Sequence, residues 1–103
     1  MYYVPTETEG YTFKTTFHTD FDIADHYGLT AIKDTYNRAV TEWRSNVEYI
    51  TELALVLNHR AWFWYNKNKT FAKLYDFLYY TLVNYVDMNF SKEDLEYFYK
   101  VLD

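Results

Sequence analysis

Asn46-Val47-Glu48-Tyr49-Ile50-Thr51-Glu52-Leu53-Ala54-Leu55-Val56-Leu57-Asn58-His59-Arg60-Ala61-Trp62-Phe63-Trp64-Tyr65 is the stretch on which the fold turns. Val47, Ile50, Ala54, Leu57, Ala61 and Trp64 recur at helical spacing, and Tyr49, Leu53, Val56 and Phe63 lie beside them. A helix apolar over so much of its circumference belongs at the centre of a bundle. Its polar line is Glu48, Glu52 and His59, interrupted by Leu55 and Trp62. Outward from it, Asn66 to Thr70 is polar and turn-like, and Phe71, Leu74, Leu78, Leu82 and Val86 stripe a helix over about Thr70 to Asn89 that packs antiparallel to the first. Ser91-Lys92-Glu93-Asp94 is a capping signature, followed by Leu95, Phe98, Tyr99 and Leu102 on an inner face. On the other side, Ser45-Asn46-Val47-Glu48 reads as a capping box after a helix with Ile32, Tyr36, Ala39, Val40 and Trp43 on one stripe. Thr30 is the expected cap of that helix, and a short helix from Asp20 to Tyr27 stops at Gly28.

The expected fold is therefore mainly α, a compact bundle of four to five helices in one domain, residues 1–103. Residues 1–18 are the exception, since Tyr11, Phe13 and Phe17 alternate with Thr12, Lys14, Thr16 and His18, the pattern of a half-buried strand. Met1 to Val4 could pair with it across Pro5 to Gly10, giving a short hairpin, and its open edge offers a route to a homodimer.

Composition narrows the function classes. The 103 residues are half hydrophobic and 23% aromatic, enough apolar surface for one core, and disorder is excluded. A net charge of -5 disfavours general attraction to phosphate backbones or anionic lipid. With no cysteine there is no disulfide, thiolate zinc site or Cys nucleophile. Two glycines eighteen residues apart exclude a P-loop and a dinucleotide-binding turn. Met1-Tyr2-Tyr3-Val4-Pro5 resembles no signal peptide and no apolar run spans a bilayer, so a cytoplasmic protein without membrane contact is expected.

No catalytic constellation or cofactor motif emerges. His18, Asp20, Asp22, Asp25 and His26 are the densest set of metal-type ligands, with Asp22, Asp25 and His26 on one helical face, and would serve a metal-dependent enzyme. Helix capping and macrodipole pairing account for the acids without a metal, and His59 has no neighbour that completes a triad. Two surface readings remain. In the first, Tyr80 and Trp62 are anchors and Glu48, Glu52, Asp76 and Asp87 an acidic rim for a basic protein partner. In the second, Arg60, Lys67, Lys69 and Lys73 with the interleaved aromatics bind nucleic acid, as in a small regulator. Phe63 and Trp64 fall on core stripes, which weighs against the second.

From Phe17 onward the chain resembles a group of small proteins encoded by phages and mobile elements of gut Firmicutes. The likeness lies in Phe21-Asp22-Ile23-Ala24-Asp25, Ala31 to Ala39, Glu42-Trp43-Arg44-Ser45-Asn46, Thr51-Glu52-Leu53, Val56-Leu57-Asn58-His59 and Tyr97-Phe98-Tyr99 to Asp103. In size and context it is similar to anti-CRISPR proteins that block type II-A Cas9, with or without guide RNA. That resemblance implies a nonenzymatic inhibitor and carries over no functional residues. Acidic residues would steer the protein toward the positive channels of such an effector. A charge of -5 is low for mimicry of a duplex carrying a charge every ~1.7 Å, so docking is expected rather than imitation of DNA.

Overall fold

The computed structural model describes residues 15–102, which form five helices: α1 (Phe17–Tyr27), α2 (Leu29–Trp43), α3 (Val47–Trp64), α4 (Lys69–Asn89) and α5 (Lys92–Leu102). The mainly helical bundle expected from periodicity is present. Among the described residues there is no strand, and the proposed hairpin, with the dimer edge it offered, lies otherwise outside them. Phe17 and His18, read as the end of that strand, are the first turn of α1 instead. The reason is spacing: Phe17, Phe21 and Ala24 recur at i, i+4 and i+7, and all three are buried. Helical burial of Phe17 therefore overrides the alternation over Tyr11 to His18 that also includes it.

Gly28 joins α1 to α2 without any intervening loop. Its N–H donates to the Ala24 carbonyl at 3.0 Å, and its own carbonyl accepts from the Ile32 N–H at 3.2 Å. One residue thus ends one helix and begins the next, which it does with φ 107° and ψ -166°. Thr30 lies within α2 rather than capping it, because the Gly28 carbonyl already receives the first helical bond. The α2 stripe buries Ile32, Tyr36 and Ala39 as periodicity indicates, and Thr35 with them.

At the head of α3 the cap is Asn46, one residue beyond the capping box read at Ser45. Asn46 is extended and its side-chain oxygen accepts from the Tyr49 N–H at 3.1 Å. Every residue from Ile50 to Leu57 is buried, so α3 is enclosed on all sides for two turns and contacts each of the other four helices. Thr51 tolerates this because its hydroxyl donates back to the Val47 carbonyl at 2.6 Å. Asn68 caps α4 in the same manner, accepting from the Phe71 N–H at 3.1 Å. The short connection makes α3 and α4 a helical hairpin with the most extensive contact in the molecule. Along α4, Ala72, Tyr75, Leu78, Leu82 and Val86 are buried, so Tyr75 joins the expected stripe while Phe71 and Leu74 sit half-buried at its margin. Ser91 accepts from the Asp94 N–H at 3.3 Å to start α5, whose Phe98 is inserted against the core. Among the described residues, no helix is long and apolar enough to cross a membrane.

The Gly28 backbone lies in a region that only glycine occupies at low cost. Among the described residues no atom lies within 4 Å of an added Cβ, so the cost of a side chain there is conformational. Gly28→Ala is expected to lower the free energy of unfolding by about 1–3 kcal/mol in urea titration, with the helical circular dichroism of the folded protein unchanged.

Candidate functional site

The most concentrated polar chemistry among the described residues is gathered round a buried arginine, with Asp22 at its exposed margin. Arg60 of α3, 5% exposed, directs its Nη2 at two carboxylates of α1: it donates to Asp22 Oδ1 at 2.7 Å and to Asp25 Oδ2. Asp25 also accepts from the Tyr75 hydroxyl of α4 at 2.5 Å and from the Trp64 indole N–H of α3 at 3.2 Å. One carboxylate therefore collects a guanidinium, a phenol and an indole. The guanidinium carbon lies 5.8 Å from the Tyr75 ring centroid. Burial first, and then the hydrogen bond to Asp25, push the Tyr75 hydroxyl far above the ordinary phenol range.

This cluster reassigns several residues. Arg60, read from its neighbours as a nucleic-acid contact, is withdrawn from the surface because the α1 carboxylates and the core hold it. Asp22 and Asp25, read as caps or as ligands, are its ion-pair partners. Asp20 accepts from the Thr16 hydroxyl at 3.2 Å, and His26 is exposed. Among the described residues, no three His, Cys, Asp or Glu side chains are grouped to hold a metal ion. His18 lies 4.0 Å from Asp22 and its ring is 6.4 Å from that of His59. Burial, His18 and Arg60, in that order, lower the His59 pKa below its ordinary value.

Of the expected acidic rim, Glu52 is fully buried, accepting from the Thr15 N–H at 3.1 Å and the Thr15 hydroxyl at 3.0 Å. It cannot meet a partner, because the all-round enclosure of α3 takes it inside. Glu48 is half-buried in a shallow groove shared with Arg44 and Asp94, and Trp62 is half-buried with its ring 6.1 Å from Tyr65. Asp76, Tyr80 and Asp87 are exposed on α4. They share that face with two residues that sequence reasoning missed, Phe77 and Met88, so that Phe77, Tyr80 and Met88 are 66%, 60% and 83% exposed. The signal was available: Phe77 precedes Tyr80 by three residues and Met88 follows it by eight, opposite Leu78, Leu82 and Val86. Asp87 accepts from the Tyr99 hydroxyl of α5 at 2.5 Å, and that bond first, then burial, the Asp87 charge and Tyr79, push Tyr99 up to about 12.

At the α3–α4 turn, Lys67, Lys69 and Lys73 are exposed. Phe63 is exposed as well, contrary to its place on a core stripe, while its neighbour Trp64 turns inward to Asp25 of α1. Lys67 Nζ lies 4.4 Å from the Phe63 ring centroid, and Lys69 Nζ 5.9 Å from that of Tyr65. A groove of about 680 Å³ runs between α1, α2 and the start of α3, lined by Asp20, Asp34, Arg38 and Glu42 together with Phe17, Trp43 and Tyr49. Comparison with known protein families, with curated proteins and with solved structures finds no match.

Removing one member of a buried pair strands the other's charge. Arg60→Ala and Asp25→Asn are each expected to cost about 3 kcal/mol or more in chemical denaturation, whereas a surface arginine would cost under about 0.5 kcal/mol. The lowered His59 pKa means that the unfolded chain binds the proton more readily. The stability His59 contributes is full above pH 6.5 and declines as pH falls through its lower folded pKa. His59→Gln should flatten that segment of a melting-temperature profile taken between pH 7.5 and 5.

Proposed function

We propose that the protein is a nonenzymatic inhibitor that docks on a nucleic-acid-processing protein complex, with type II-A Cas9 as its target. One observation carries the docking reading: Phe77, Tyr80 and Met88 stand exposed along one face of α4 that also carries Asp76 and Asp87. Aromatic side chains such as Phe77 and Tyr80 on a rigid helix have few torsions to lose on binding, and carboxylates beside them favour a positively charged counterpart. The net charge of -5 acts in the same direction over longer range. Cas9-type effectors present positive channels for guide and target, which is the complementary surface. The resemblance of residues 17–103 to small phage and mobile-element proteins supports the choice of that target, and the bacterial cytoplasm is where it would be met.

The test is a Cas9 cleavage assay with the purified full chain, run beside size-exclusion chromatography with guide-loaded and guide-free enzyme from several type II-A systems. Inhibition with co-elution is expected, and Tyr80→Ala or Phe77→Ala should each weaken it about 30-fold, the loss of a 2 kcal/mol anchor, with the fold intact. Absence of both inhibition and co-elution across those enzymes would overturn the target.

A further inference from the structure

The α3–α4 turn has a chemistry opposite to the rest of the molecule. Between Glu52 and Asp76 the chain has no carboxylate, and the one cation of that span that lies inside, Arg60, is neutralised by Asp22 and Asp25. What remains at the surface is Lys67, Lys69 and Lys73, together with Phe63 and Tyr65, 45% and 46% exposed. We infer that this end of the hairpin is a contact site for single-stranded nucleic acid, separate from the acidic face of α4.

The geometry interleaves charge with rings rather than segregating them. Lys67 lies against Phe63 and Lys69 against Tyr65. Tyr65, Lys69 and Lys73 also line a common recess with Ala61, Ala72 and Asp76. That recess is about 190 Å³, below the roughly 300 Å³ at which pockets begin to enclose a small ligand. It is a platform on which a chain can lie, not a cavity for a free nucleotide. Phosphates are the complementary charge for ammonium groups, and unpaired bases supply faces that stack on exposed rings, which bases inside a duplex do not. Asp76, the single carboxylate in the recess, marks where the basic end gives way to the acidic face of α4. The overall negative charge opposes approach at long range, but at 0.15 M salt it is screened beyond about 8 Å and the local lysines dominate at contact.

The contact carries a quantitative signature. Three lysines on a single strand give a slope near -2 for log affinity against log salt, an about 20-fold loss of affinity between 50 and 200 mM. The experiment is fluorescence anisotropy of labelled fifteen-nucleotide oligo-dT and oligo-rU with the full chain, a duplex of equal length as control, and polyglutamate as competitor. Single strands should bind at 50 mM salt with that slope, and more tightly than the duplex. Lys67→Gln/Lys69→Gln/Lys73→Gln should abolish binding and Phe63→Ala/Tyr65→Ala weaken it at least about 5-fold, both variants keeping the parent circular dichroism and melting temperature. No anisotropy change at 50 mM salt, equal affinity for the duplex, or displacement by polyglutamate at matched charge would each overturn the inference. None of these outcomes depends on whether Cas9 is the target of the α4 face.

Discussion

Asp25 is the residue on which the arrangement of α1, α3 and α4 converges. Its carboxylate accepts from Arg60 and Trp64 on α3 and from Tyr75 on α4. A carboxylate buried without such donors would be expelled or protonated; with them, it fixes how far α1 can rotate or slide on the hairpin beside it. Apolar packing is indifferent to small slips of one helix on another, whereas hydrogen bonds to one pair of oxygens are not. The aromatic and aliphatic core supplies most of the attraction, and this polar knot selects one packing among those the core would tolerate.

Enclosure of α3 has the further effect of deciding which residues face outward. Because two of its turns are covered on all sides, its polar residues become internal: Thr51 is satisfied by its own helix and Glu52 by Thr15. Within the α3–α4 hairpin, exposed chemistry is left to α4 and to the turn that joins it to α3. Along α4 the character changes from lysine-rich at its first turns to acid-flanked and apolar further on, so a single rigid element presents two surfaces of opposite preference.

Much of the fold was legible in the residues. Helical periodicity located all five helices, and the bundle order follows from short connections and from the all-round hydrophobicity of α3. What escaped had local causes. Phe17 satisfied an alternating and a helical pattern at once, and only its tertiary burial separates them. Ser45 and Asn46 are both good caps, and the choice between them depends on which adopts the extended backbone. The site was less legible because pairing is not local: Arg60 in sequence stands among aromatics and ahead of lysines, and its partners are 35 and 38 residues away. Phe63 was misplaced because periodicity tells which residues share a face and not how much of that face the neighbouring helices cover, whereas Phe77 lies on the outward face of α4 that the spacing itself marks.

The span of the Asp25 contacts also bears on how the chain assembles. Its partners lie 35, 39 and 50 residues along the sequence, so neither the α1–α2 pair nor the α3–α4 hairpin contains the whole set. Each half, formed alone, leaves carboxylates or donors to water, and the partly docked state bears the desolvation without the full complement of bonds. Intermediates that bury the two halves against each other imperfectly are thereby disfavoured, and the equilibrium transition becomes closer to all-or-none than hydrophobic collapse of so aromatic a chain would make it.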